Sequence, residues 1–152
     1  MMPTMSRIAM GADHAGFGLK QELADHLRAR GHQIVDLGTS SEERVDYPDF
    51  GAAVGRAVAG GDADLGVCVC GSGIGIGIAA NKVPGIRAAT VHDVTTAHLA
   101  REHNDANVVC LGARVVGTEV AKEAVDAWLA ASFAGGRHAG RVAKLDALLP
   151  GG

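Results

Sequence analysis

Three strings in this 152-residue chain carry groups suited to chemistry. The first is Cys70-Gly71-Ser72-Gly73-Ile74-Gly75-Ile76-Gly77, where a thiol leaves an apolar run and meets alternating glycines. Successive glycines let backbone N–H groups converge on an anion at a helix N-terminus. A thiol in such a place is favoured as thiolate, which is both base and nucleophile. Two phosphate-loop patterns are excluded. A P-loop needs Lys then Ser or Thr after its last glycine, and Gly77 is followed by Ile78. The dinucleotide pattern needs glycine at its first, third and sixth positions; the sixth is Ile76 counted from Gly71 and Ile78 counted from Gly73. A tight strand-to-helix turn, with glycines for packing alone, remains the plain alternative. Cys68, two residues earlier, points to the same side but lies deeper, so Cys68 and Cys110 read as small core hydrophobes. Cys70, at the tip, reads either as a third such residue or as the reactive thiolate.

The second string is Asp13-His14 after the apolar Ile8-Ala9-Met10, and the third is His103-Asn104-Asp105-Ala106-Asn107 before Val108-Val109-Cys110. Both histidines read as loop residues beside strands on one edge of the fold, where an imidazole can move protons. His26 and His32 read as solvated, and His92 and His98 are ambiguous. Near the C-terminus Arg137 and Arg141 stand at i and i+4 on one helix face. Such a guanidinium pair suits a phosphate or carboxylate. With Lys144 it also reads as a solvated basic face.

Short apolar runs alternate with amphipathic ones along the chain. Strands are expected at 7–10, 33–37, 65–70, 86–91 and 108–111. Helices are expected at 16–30, 48–59, from the glycine loop to about Asn81, at 93–102, 118–131 and 135–149. Leu19, Leu23 and Leu27 mark the first helix at four-residue spacing, and Pro48 suits the first turn of the second. Alternation of this kind demands parallel strands with right-handed crossovers. The expected fold is therefore a three-layer α/β/α sandwich with a five-stranded parallel Rossmann-like sheet and a C-terminal helix. Residues 1–152 read as one domain, with 1–6 a loose tail. Ligands in such sheets bind outside the carboxyl ends of the strands. Asp13, His14, Cys70 to Gly75, His92, Asp93 and Arg114 all fall there.

Composition narrows the class. Hydrophobic residues reach 47%, enough for a core. With 14 basic against 17 acidic side chains the net charge is −3, which speaks against binding nucleic acid by bulk charge. The 22 glycines are dispersed among apolar runs and only five residues are aromatic, so the fold is packed from small and aliphatic side chains. Three cysteines form no even framework, which fits a reducing compartment. There is no CxxC pair to suggest structural zinc. The first residues lack the apolar stretch of a signal peptide, and no run approaches the ~20 apolar residues of a membrane span. A soluble, cytoplasmic protein without membrane or nucleic-acid partners is expected.

The strings together resemble the ribose-5-phosphate isomerase B family, grouped with the galactose-6-phosphate isomerase subunits. The matching segments are Gly11-Ala12-Asp13-His14-Ala15-Gly16, Asp46-Tyr47-Pro48-Asp49-Phe50, Cys70-Gly71-Ser72-Gly73 with Ile78-Ala79-Ala80-Asn81-Lys82, Gly85-Ile86-Arg87-Ala88, His103 to Asn107, and Phe133-Ala134-Gly135-Gly136-Arg137-His138. They are collinear and span nearly all of 7–149. The resemblance implies an aldose–ketose isomerase of ribose 5-phosphate and ribulose 5-phosphate, with no metal or organic cofactor. It implies Cys70 as the base, and Ser72 with the amides of Gly71, Gly73, Ile74 and Gly75 around an enediolate. It implies His103 for ring opening, Asp13 and Asn104 for sugar hydroxyls, and His14, Arg137 and Arg141, joined by Arg114, for the phosphate. A homodimer, or a dimer of dimers, with sites between subunits is implied as well; which residues the partner supplies stays open. One family branch uses a glutamate base six residues past the cysteine position. Here that place holds Ile76, which puts the chain with the thiol branch. Other sugar phosphates (allose, galactose or erythrulose) remain as substrates, as do a nucleotide-binding module and a silent subunit as other classes.

Overall fold

The structure, a computed structural model, describes residues 5–150. The elements are β1 (Arg7–Ala12), α1 (Phe17–Ala29), β2 (Gln33–Asp36), α2 (Tyr47–Ala59), β3 (Leu65–Cys70), α3 (Ile74–Asn81), β4 (Ala88–Thr90), α4 (Val94–Asn104), β5 (Val108–Gly112), α5 (Thr118–Ala130) and α6 (Arg137–Ala147). All five strands are parallel, in the order β2-β1-β3-β5-β4. This is the expected α/β/α sandwich with its C-terminal helix.

Side-chain alternation along the strands divides the core into two layers. On one face Ile8, Met10 and Ala12 of β1 meet Leu19, Leu23 and Leu27 of α1, Val67, Val69, Leu111 and the buried Trp128 of α5. Trp128 satisfies its indole N–H on the Ala106 carbonyl at 2.9 Å. On the other face Ala9, Val54, Cys68, Cys70, Ile76 and Cys110 pack under α2 and α3. Cys68 and Cys110 are register partners on β3 and β5. The Cys110 thiol, then burial, push the Cys68 thiol's pKa well up, so it is an inert core group, as expected. The close seating of α2 needs bare backbone: a Cβ on Gly66 would stand 2.5 Å from Val54, and one on Gly51 2.5 Å from the Ile76 carbonyl.

Several expectations are corrected. β4 is three residues long instead of 86–91. The Arg87 and Ala88 amides are taken by the side-chain oxygens of Asn107 and Asn81, which delays the start of the ladder. α4 runs two residues past Glu102, to the left-handed Asp105 at φ 48°. α6 begins at Arg137, because Gly135 and Gly136 both take positive φ. His26 and His32 are not solvated. His26 bonds the Asp126 carboxylate at 2.9 Å, joining α1 to α5, and His32 is buried with its Nδ1 accepting from the Ser6 N–H. Of the expected tail, 1–4 lie outside the described residues, while Ser6 is tied to His32 and Gln33. Among the described residues no helix is long and apolar enough to cross a membrane.

Candidate active site

At the carboxyl edge, β3 ends in Cys70 and the chain turns into α3 through Gly71, Ser72 and Gly73. Gly73 takes φ +76°, and a Cβ there would lie 2.7 Å from the Leu111 carbonyl carbon, so only glycine makes this turn without strain. The turn aims the Gly73 N–H at the Cys70 sulfur, 3.1 Å away. Cys70 is 4% exposed. The Ser72 hydroxyl oxygen accepts the Ile74 N–H at 3.2 Å, the first amide of α3, which leaves its own proton to donate. The remaining first-turn amides of α3, from Gly75 on, face the same end of the helix. The loop is a backbone cradle wrapped around a thiol.

Neighbouring loops close on it. The Asp13 N–H bonds the Val69 carbonyl, beside Cys70, and its Oδ1 accepts the Gly16 N–H at 3.0 Å, which fixes a buried carboxylate at the tip of β1. The Nδ1 of His14 lies 3.2 Å from both the N–H and the C=O of Val45, so the ring can bond this residue in either protonation state. Arg114 covers Gly71: its guanidinium would be 3.2 Å from a Cβ there, and its N–H bonds the Gly71 carbonyl. Tyr47 lies over Gly75, its hydroxyl 2.9 Å from a Cβ built there. No chemical role was expected of Tyr47, although it belongs to the Asp46-Tyr47-Pro48 string quoted above.

His103 and Asn104 are elsewhere. They form the last turn of α4, and a crossover helix runs back against the strands, so its end lies at the amino edge of the sheet. The expectation that His103 shares an edge with His14 is corrected. The α4 helix spans roughly 16 Å at 1.5 Å per residue from the carboxyl edge to this turn. At the amino edge the His103 ring stacks on His138 of α6, with centroids 4.3 Å apart and planes 14° from parallel. Arg137 and Arg141 lie on the same first turns of α6. Burial first, then the charges of His103, Arg137 and Arg141, hold the His138 imidazole below its ordinary pKa of 6.5. Arg87 fastens the cluster, donating to the Asp105 carbonyl at the end of α4 and to Asp146 of α6 at 3.0 Å.

The expected site residues therefore form two groups. Asp13, His14, Cys70, Gly71, Ser72, Gly73, Ile74, Gly75 and Arg114 meet at the carboxyl edge. His103, Asn104, Arg137 and Arg141 meet at the amino edge. A cavity of about 550 Å³ flanks β4; it is lined largely by aliphatic groups such as Ile86, Leu99, Leu145 and Leu148, together with Asn104 of the amino-edge group. Among the described residues no group of three or more His, Cys, Asp or Glu is placed to hold a metal ion.

Comparison with known proteins agrees with this architecture. Residues 8–145 match the family model described as Ribose/Galactose Isomerase. The chain is 52% identical to ribose-5-phosphate isomerase B of Escherichia coli over 95% of this chain and 97% of that one. It is 44% identical to D-erythrulose-4-phosphate isomerase of Pectobacterium atrosepticum, over 93% of each. Among solved structures, ribose-5-phosphate isomerase B of Clostridium thermocellum superposes with a TM-score of 0.92 at 54% identity, covering 93% of this chain and 96% of that one.

Proposed function

The chain belongs to the ribose/galactose isomerase family, and on that premise we propose that it interconverts D-ribose 5-phosphate and D-ribulose 5-phosphate with Cys70 as the base. Membership makes it a sugar-phosphate aldose–ketose isomerase. The five-carbon substrate is the one in the name of the Escherichia coli relative, to which identity is 52%. The observation that carries the mechanism is the Cys70 sulfur at a strand tip, 3.1 Å from the Gly73 N–H, inside a loop of main-chain donors.

In the open-chain aldose the Cys70 thiolate takes the proton from C2. The electron pair moves into the C1–C2 bond, and negative charge gathers on the former carbonyl oxygen. The Gly71, Ser72 and Gly75 amides and the Ser72 hydroxyl are preorganised donors for that charge, while the Gly73 and Ile74 N–H groups hold the thiol and the serine in place. The thiol then returns its proton to C1 while the O2 proton passes to O1, so no electron leaves the sugar. His103 opens the ring by moving a proton between ring oxygen and hydroxyl. Asp13 and Asn104 hold hydroxyls, and His14, Arg114, Arg137 and Arg141 hold the phosphate. The reading invokes no cofactor, and it takes residues 1–152 as one catalytic domain.

One chain cannot bring both groups to one sugar, because α4 runs the depth of the sheet between them. The reading therefore requires a second copy, whose His103, Asn104, Arg137 and Arg141 reach the first copy's thiol. The edge strand β4 and its aliphatic groove are a surface suited to such a contact. A four-carbon substrate is the second reading, favoured by the 44% identity to the erythrulose-phosphate enzyme. Assay of the purified chain against four-, five- and six-carbon sugar phosphates separates the two. The highest kcat/KM is expected with ribose 5-phosphate; preference for another chain length would replace that substrate.

A further inference from the structure

We infer that Thr90 and His92, at the end of β4, are positioning residues that brace the glycine cradle, and that the brace is complete only while His92 is neutral. The role in turnover rests on the isomerase reading above; the brace itself is geometric. Thr90 and His92 are alternate residues and so leave an extended chain on one face. The Thr90 hydroxyl donates to the Gly73 carbonyl at 2.8 Å. That is the residue whose N–H meets the Cys70 sulfur and whose φ is positive. Thr90 thus grips the one turn on which the geometry around the thiol depends.

His92 acts two residues further on. Its Nε2 lies 3.0 Å from the Gly112 N–H. A backbone N–H only donates, so Nε2 carries a lone pair in this arrangement. The Val91 N–H still bonds the Cys110 carbonyl in the ordinary parallel pattern. For the next β5 N–H, that of Gly112, an imidazole stands where a strand carbonyl would continue the ladder. Gly112 is the register partner of Cys70, and a Cβ on it would be 2.6 Å from the Ser72 carbonyl. From it the chain runs along the thiol loop: the Ala113 N–H bonds the Cys70 carbonyl, and the Arg114 N–H bonds that of Gly71. The ring therefore steers the segment that lays Arg114 over the cradle.

Protonation removes the acceptor, since an imidazolium presents only donors. His14 differs, because its ring has both a donor and an acceptor of Val45 within reach. Asp93, the N-cap of α4, is the carboxylate that feels the imidazole's charge, and Arg114 is the cation on the β5 exit. Residues 70–81 carry no charged side chain, and Glu119 at the start of α5 is paired with Lys122 at 3.5 Å.

The test uses Thr90→Val, His92→Ala and His92→Gln in the full chain. Each of the first two is expected to lower kcat about tenfold, the worth of one lost hydrogen bond, with KM within twofold. The glutamine oxygen accepts at every pH, so His92→Gln recovers most of kcat at pH 7.5. Its kcat relative to wild type then rises as pH falls through the range in which the His92 ring is seen to protonate. Unchanged kcat in the first two variants, or a ratio that stays flat through the observed protonation of the ring, overturns the brace. A second measurement needs no activity: in wild type, the Gly112 and Gly73 amide resonances should follow the titration of the His92 ring, and in His92→Gln that transition should vanish. Coupled resonances in a protein that isomerises no sugar phosphate would sink the functional reading and keep the brace. An active enzyme with uncoupled resonances would do the reverse.

Discussion

The two edges of the sheet hold their functional groups by different means. At the carboxyl edge the fastening is main chain: Cys70 is met by the Gly73 N–H, Asp13 by the Gly16 N–H and His14 by Val45. Cys70 and Asp13 are buried there. At the amino edge it is side chain on side chain: His103 stacks on His138, and Arg87 clasps the carboxylates of Asp146 and Asp105. His103 is 37% exposed. Backbone amides suit the place where charge develops, because they are already oriented and cost no reorganisation. The half-exposed His103 imidazole and the exposed Arg137 and Arg141 guanidiniums at helix ends would suit the grasp of a ligand seated on another copy, as the proposed function requires.

That division can be broken most decisively by complementation. Cys70→Ala and His103→Ala are each expected to lower kcat by roughly 10²–10⁴-fold, the range for a lost acid–base group, while sugar phosphate still binds. Mixed and allowed to exchange subunits, the two inactive variants should regain about a quarter of wild-type activity. Half of randomly formed two-fold dimers are hybrids, and each hybrid has one intact site of two. No recovery despite demonstrated exchange would mean that the two edges do not serve one site. A smaller effect separates phosphate grip from chemistry. Arg137→Ala should raise KM roughly 10–100-fold, as loss of a charge-assisted bond does, with kcat changed much less. An unchanged KM would remove the amino edge from the phosphate.

The smallest effect concerns stability. Burial and the nearby cations hold the His138 pKa below 6.5 in the folded chain. The unfolded chain then binds the proton more readily, so stability is full above about pH 6.5 and declines as pH falls toward the folded value. His138→Phe keeps a ring on His103 and removes the titration. Urea midpoints at pH 7.5 and 5.5 should fall more for wild type than for the variant. Equal losses would show that neither burial nor the amino-edge cations weaken proton binding at this ring.

Much of this was legible in one dimension. Glycines and polar stretches closed each apolar run, so the order of strands and helices followed from local periodicity, and with it the parallel sheet. The position of Cys70 at the end of its strand, against Gly71 to Gly77, marked the thiol before any packing was known. The placement of His103 was legible in part, since residues just before a strand sit at its amino end; its polar neighbours Asn104 to Asn107 obscured this by resembling an active-site loop. β4 is shorter than its apolar run suggests because Asn81 and Asn107 take the first amides of that run from 7 and 20 residues away. Thr90, His92 and Tyr47 had no local signature at all, since each matters through a glycine on another element. Periodicity, caps and glycine spacing act over a few residues, and the sequence by itself determined what they govern: the elements, their order and the place of the Cys70 thiol at a strand tip. Only the tertiary structure decided which distant side chains complete the cradle and that the expected site is split across two edges, because crossovers and register join residues that the chain keeps far apart.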